Sequence, residues 1–514
     1  GYDAKRDIMK FNPGERTRYN AVLNLQTDLT DWLKAGVRFN YTRRHFSAAD
    51  PWTNIYQYIW RWGSYFVPSG IFQAADGTQY DNRMIALQKQ ASRRIGTHDA
   101  LRMNAFLKAN ITKDLTLNVD YTYQIDNFNN KTSDHSVYGM NWAGTAPGYI
   151  VTPSNANATR SNSKSNSWVA NAYMNYAHRF NDTHNLNVMV GVNGENFTSD
   201  YFSAMRKKLY DEAFPELNLA YGEMKDAVID SYTDDHSSAG YFGRINYDYK
   251  GIYLLELNGR YDGSSKFRAG DRWAFFPSFS LGYRFTEEPY WKNLKNMVSN
   301  GKLRFSYGEI GNEAVGSNMF LSTTAAYNVS SSGFMWLDKK GGKRNMFTRP
   351  TWVNPSLTWE RIQTKNLGLD LGFLDNQFTL TAEIFERLTK DMLAPGNAIP
   401  SAVGANAPYT NAGELRSRGW ELTLAWRKQF KKDFGLYANF SIGDSKVKVK
   451  KWNNSKRIIG HTNDVSYAYE GETWGDIWGF GVYPSRPTVV SGVSGPVVTR
   501  VTARNRSKAC HESA

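Results

Sequence analysis

Between Gly240 and Asn312 the sequence alternates with period two, segment after segment, and nothing else in the chain constrains its fold as strongly. Tyr253, Leu255, Leu257 and Tyr261 interleave with Glu256, Asn258 and Arg260. Phe275, Phe279, Leu281, Tyr283 and Phe285 then interleave with Ser278, Ser280 and Arg284, and Leu303, Phe305 and Tyr307 with Lys302, Arg304 and Ser306. Side chains on an extended strand point alternately to opposite faces, so each segment makes a strand with one apolar and one polar face. Such strands suit either a soluble sandwich or a membrane barrel.

The connections separate these two. Ala21, Leu23 and Leu25 alternate before Thr30-Asp31, and Val37, Phe39 and Tyr41 after it. Leu101–Asn110 and Leu115–Gln124 join through Thr112-Lys113-Asp114, and Trp168–Phe180 and Leu186–Phe197 through Asn181-Asp182-Thr183. Leu367–Phe373 meets Phe378–Ile384 across Asp375-Asn376, and Trp420–Trp426 meets Leu436–Phe440 across Lys431-Lys432-Asp433. These short links carry tight-turn chemistry. Between them run long polar loops, about 47–100, then to Asn166 and to Ser237. The pattern predicts about fifteen antiparallel strands up to Phe480, of about eight to fifteen residues, with helix confined to short pieces such as Glu287–Val298. Short turns at one end and long loops at the other are the arrangement of a bacterial outer-membrane barrel, which also removes exposed strand edges.

Composition agrees. Aromatic residues make up 15% of the 514, with 31 Tyr and 16 Trp, yet mean hydropathy is −0.57. A barrel wall reconciles the two, needing only about ten residues per strand, half of them apolar. No run approaches the roughly 20 apolar residues of a spanning helix. The net charge of +14 is scattered without a basic tract or RNA-binding motif, which argues against a nucleic-acid partner. Cys510 is the single cysteine, so there is no disulfide framework or thiolate metal site.

Catalytic signals are missing: the eight His show no ligand spacing, and neither a P-loop nor a G-x-S-x-G occurs, so neither enzyme activity nor a cofactor is expected. Trp60, Trp62, Tyr65, Trp142, Trp336 and Trp352 stand in loops, where aromatic rings either stack on a ligand or pack on one another. In the wall, Leu255, Leu257, Leu281, Leu369, Leu422 and Leu424 are expected to face lipid. Glu256, Arg260, Ser280, Asp370, Glu421 and Arg427 are expected to face the lumen.

The blocks Tyr241-Phe242-Gly243-Arg244-Ile245-Asn246-Tyr247, Arg260-Tyr261-Asp262-Gly263-Ser264-Ser265-Lys266-Phe267, Phe276-Pro277-Ser278 and Leu303 to Asn312 resemble those of the SusC/RagA family of TonB-dependent outer-membrane transporters. Trp359-Glu360, Lys390-Asp391-Met392-Leu393 and Gly413 to Glu421 follow in the family's order over roughly 240 residues. The resemblance implies a plugged barrel that takes up oligomeric glycan or peptide fragments with energy passed from TonB, beneath a SusD-like surface lipoprotein. The rival readings are a passive porin-like channel and a surface adhesin.

Two departures from the family pattern set further expectations. No plug is visible, and about fifteen strands fall short of the roughly 22 expected, so residues 1–483 read as a portion of the barrel that would not transport alone. Residues 484–514 hold no Phe, Trp or Tyr and read as a non-native tail, from a frameshift or truncation.

Overall fold

A computed structural model of the chain describes residues 1–7, 12–49, 71–73, 77–81, 83–90, 92–140, 146–323, 326–327, 346–347, 350–396, 399–400, 402, 407–431, 433–452, 458–459 and 468–474. Fifteen strands form one antiparallel sheet in which each pairs with its sequence neighbour. They are β1 (Tyr2–Arg6), β2 (Glu15–Asp28), β3 (Leu33–Ala49), β4 (Arg93–Asn110) and β5 (Leu115–Asp134). Next come β6 (Asn157–Phe180), β7 (His184–Lys207), β8 (Val228–Tyr249), β9 (Tyr253–Ser264) and β10 (Trp273–Tyr283). The last five are β11 (Val298–Asn312), β12 (Glu360–Phe373), β13 (Phe378–Pro395), β14 (Tyr409–Lys431) and β15 (Phe434–Lys451). The expected all-β architecture is present, with short links at one end of the strands and long ones at the other, except that β9 and β10 join through the compact 265–272 at the long end and β10 and β11 through the longer 284–297 at the short end. No helix is long and apolar enough to cross a membrane among the described residues.

The chain divides into two compact units, Gly1–Tyr173 with Asn193–Ser237, and Met174–Val192 with Ser238–Ala514. In the first unit, a helix over Arg83–Gln90 and a ladder of Val137–Met140 on Pro147–Val151 lie within the long connections. Ala86, Leu87 and Val137 bury one another there, with Ile150 and Val151 packed against them. Gln90 closes the contact by donating to the Tyr138 carbonyl at 2.8 Å and accepting from its N–H at 2.9 Å. In the second unit, Phe267, Ala274, Phe276 and Trp359 form a buried cluster, and the Trp359 indole donates to the Arg272 carbonyl at 2.8 Å. Three of the motif residues that carry the family resemblance are thus core residues packing the long-connection end.

Turn chemistry sets the short links. Asn181 and Asp182 have φ of 47° and 54°, and Lys250 and Gly251 of 55° and 67°. Positive φ at both central residues is the type I′ geometry whose twist matches the flanking strands.

Several expectations on extent are corrected. Strands reach 24 residues in β6 and β7, well past fifteen. The outer half of β6, Asn157 to Ser167, is largely polar on both faces and carries no amphipathic signal. The loop expected over 47–100 contains the end of β3, the Arg83–Gln90 helix and the start of β4. Strand β1 was not expected, since five mostly polar residues show too short a pattern. The helix expected over Glu287–Val298 is two short 3-10 turns, Phe285–Glu287 and Pro289–Leu294, before β11 begins at Val298. Pro289 fits the start of such a turn, where its missing N–H costs nothing. The tail expected over 484–514 lies outside the described residues.

Candidate functional site

Register assigns every wall residue to a face, because directly paired residues share one. Across the second unit, Leu255 pairs with Leu281, Leu281 with Phe305, Phe305 with Leu367, Leu367 with Ile384 and Ile384 with Trp420. Leu257, Leu369, Leu422 and Leu424 stand at even spacing from these and share their face. Many are exposed: Leu281 to 48%, Leu424 to 45% and Ile384 to 58%. An uncovered apolar face of this extent is an aggregation liability in water and is satisfied by hydrocarbon.

Aromatic side chains bound this face at both ends. Near the short turns, Tyr253 stacks on Tyr283 with ring centroids 5.2 Å apart, and the Tyr283 and Tyr290 hydroxyls meet at 2.6 Å. Near the long connections, Trp273 stacks on Tyr261 at 5.1 Å and on Tyr241 at 6.0 Å. Gly263 makes room for that indole, since a Cβ there would stand 2.6 Å from its ring. Eight residues separate Tyr253 from Tyr261, about 26 Å of strand at ~3.3 Å each. Allowing for strand tilt, the apolar band between the two rows is close to the thickness such a wall must cover.

The opposite face is polar. Glu256 pairs directly with Ser280, Ser280 with Ser306 and Ser306 with Asn366. Arg304 is its hub, ion-paired with Asp370 at 3.0 Å and with Glu383, to which Asn366 also donates at 2.7 Å. Glu421 is the cross-strand partner of Glu383, so Arg304 offsets repulsion between facing carboxylates. Arg260 is held by Asp262 at 2.8 Å, and Arg427 faces Tyr437. An open groove of about 740 Å³ runs along this face, lined by Glu256, Ser280, Arg304, Ser306 and Asn366 among others. The alternation put Arg304 on the polar face and singled out Asp370 and Glu421 as lumen-facing, but not Glu383 or Asn366. Their period-two place was a signal, but the pairing that joins them spans three strands.

Of the loop aromatics, Trp60, Trp62, Tyr65, Trp142 and Trp336 lie outside the described residues, and Trp352 is 54% exposed. The long connections of the first unit carry an ion cluster instead. Lys131 and Arg160 both pair with Glu216, and hold its carboxyl below the usual carboxylate range. Glu212 accepts from the backbone N–H and the hydroxyl of Ser136, at 2.8 and 3.0 Å. Burial lowers the neighbouring His135 imidazole, keeping it neutral. No group of His, Cys, Asp and Glu able to hold a metal occurs among the described residues.

The model of the family described as TonB dependent receptor-like, beta-barrel matches residues 70–497. TonB-dependent receptor P3 of Formosa agariphila is 26% identical over 340 residues, covering 63% of this chain and 33% of the relative. TonB-dependent receptor SusC of Bacteroides thetaiotaomicron is 30% identical over 247 residues, 47% of this chain and 23% of the relative. Among solved structures, the RagAB peptide transporter superposes with a TM-score of 0.73 at 19% identity, over 93% of this chain and 51% of its own. That likeness is one of fold. This chain accordingly spans about a third or less of the length of these curated relatives.

Proposed function

The chain belongs to the TonB dependent receptor-like β-barrel family, and from that premise we propose that it forms the wall of an energised outer-membrane importer of oligomeric nutrients. One observation carries the reading: a continuous polar face, organised by Arg304, Asp370 and Glu383, backs an apolar face bounded by two aromatic rows. In such a wall the apolar face, with Leu257 and Leu281, meets lipid. The polar face, with Glu256, Arg260, Ser280, Asp370, Glu421 and Arg427, lines the cargo path. Residues 1–483 supply this wall. The cargo is a glycan or peptide fragment, contacted at the mouth by the loop aromatics Trp60, Trp62, Tyr65, Trp142, Trp336 and Trp352. TonB supplies the energy, and a SusD-like surface lipoprotein covers the mouth.

Uptake of labelled oligomers in the native host, with the gene deleted and then restored at full length, tests this reading. Restored uptake is expected to stop when the proton-motive force is collapsed. Uptake that survives the collapse would instead mean a passive porin-like channel.

A further inference from the structure

The apolar face of the second unit turns basic toward the long connections. Successive direct cross-strand partners run from Leu257 on β9 through Phe279 and Tyr307 to Lys365, Glu386 and Arg418 on β12, β13 and β14. Arg418 in turn faces Lys446 of β15, and two residues nearer the long connections Arg416 faces Lys448. These side chains share a face with Leu367, Ile384 and Trp420, each two residues away toward the short turns and 42%, 58% and 44% exposed.

Their height follows from the register. A line of direct partners is perpendicular to the strands, and the strands of such a barrel tilt by about 35–45°. With strands ~4.8 Å apart, the line shifts in height by about 3 Å at each strand. The shift is toward the long connections: Tyr253, which bounds the band beside the short turns on β9, lies on one line with Leu422, only two residues from Trp420 on β14. Leu257 is mid-band, so Arg418, five strands on, stands about 15 Å above it, just past the end of a band about 25 Å tall. The cations thus stand at the level of the outer-leaflet headgroups, on the side that meets lipid.

Charge says what meets them there. Glu386 accepts from Nε of Arg418 and lies 3.9 Å from Nε of Arg416. Nearby carboxylates have cations of their own, Glu309 with Arg361 at 3.2 Å and Glu414 with Lys450 at 2.8 Å. On β12, β13 and β14, each flanked by strands on both sides, Lys365, Arg416 and Arg418 therefore set three positive charges against the one of Glu386. Like charges directly opposite, as Arg418 and Lys446 are, destabilise a sheet unless an anion lies between them. The Arg418 side chain is 65% exposed, and a planar guanidinium fork binds two phosphate oxygens at once. Basic side chains just outside a hydrocarbon band attract anionic headgroups.

We infer that the outward face of β12, β13 and β14, above Trp420, is a docking site for a phosphorylated glycolipid of the outer leaflet, with Lys365, Arg416 and Arg418 as its phosphate contacts. The inference uses the assignment of faces and is independent of what the barrel carries. Equilibrium binding to the full-length protein in neutral-detergent micelles tests it with three probes: bisphosphorylated lipid A, the same lipid A with both phosphates removed, and phosphatidylglycerol. Bisphosphorylated lipid A is expected to bind at least about tenfold more tightly than the dephosphorylated form, a preference that weakens with salt as screening grows. Arg416→Gln with Arg418→Gln should remove most of the preference, and Arg418→Lys should keep part of it. Arg387→Gln, on the opposite face of β13 where it pairs with Ser417, should leave it intact. Equal binding of the two lipid A forms by the unaltered protein would overturn the inference whatever the variants do. So would undiminished preference in a folded double variant, and so would tighter binding of phosphatidylglycerol than of bisphosphorylated lipid A. Loss of the preference with Arg387→Gln alone would place the lipid on the other face and overturn it as well. A double variant that keeps the preference but separates into a smaller species would give this face to a second protein chain instead.

Discussion

Gly368 lies directly under the guanidinium of Arg304: a Cβ on Gly368 would stand 2.6 Å from Arg304 Cζ. The missing side chain on β12 lets Arg304 of β11 lie across the strand and reach Asp370 and Glu383 together. Gly368→Ala should therefore displace Arg304 from both carboxylates. Hydrogen bonds to charged groups contribute about 1.5–3 kcal/mol, and with Arg304 partly solvated a loss near the lower end is expected. Gly270→Ala, with nothing within 4 Å of the new Cβ, should change stability by less than about 0.5 kcal/mol. Urea unfolding of the folded barrel in detergent compares the two, and equal midpoints would mean that Arg304 does not need the gap.

The two faces should respond differently to the same new side chain. Leu257 lies mid-band on the apolar face, and Ser280 lies on the polar one. Arg at a lipid-facing midplane position costs about 2–4 kcal/mol. Leu257→Arg should lose about that much, whereas Ser280→Arg should leave folding nearly unchanged and alter which solutes bind. Equal destabilisation would show that the faces are assigned wrongly.

Legibility in the sequence followed the apolar band. From Leu255 to Trp426 the alternation states each strand, its partner face and its short turn, and the structure follows it. Past the band the signal stops: Asn157 to Ser167 extends β6 with polar residues on both faces, because nothing there chooses between core and solvent. The Arg83–Gln90 helix was equally silent, since its apolar contact is with Val137, about fifty residues away in sequence. The Arg304 hub needed register between β11, β12 and β13, and cross-strand register is not written locally.

The ion cluster in the long connections gives a pH dependence of stated sign. Lys131, and after it Arg160, hold the Glu216 carboxyl below its ordinary value of 4.5. A depressed carboxylate contributes stability that is present above 4.5 and is lost as pH falls through the lowered value. Amide hydrogen-exchange protection across 212–222 should therefore drop only in acid, and Glu216→Gln should show the reduced protection already at neutral pH. Protection that stays flat well below 4.5 would mean that other contacts hold this segment.

The central claim is that one face of each wall strand meets lipid and the other meets water, and a cysteine scan along β9 and β10 reads it residue by residue. Cys510 is the single cysteine of these 514 residues, so the background for the scan carries Cys510→Ser together with Ser in place of every cysteine outside them. Single cysteines at 255, 256, 257, 258, 280 and 281 are reconstituted in vesicles and challenged with a charged, water-soluble maleimide. A fluorophore at each position is then tested for quenching by brominated lipid. The account predicts strict alternation: Glu256, Asn258 and Ser280 positions react with the maleimide, and Leu255, Leu257 and Leu281 positions are quenched by lipid. The same response at neighbouring positions, or the inverse pattern, would contradict it.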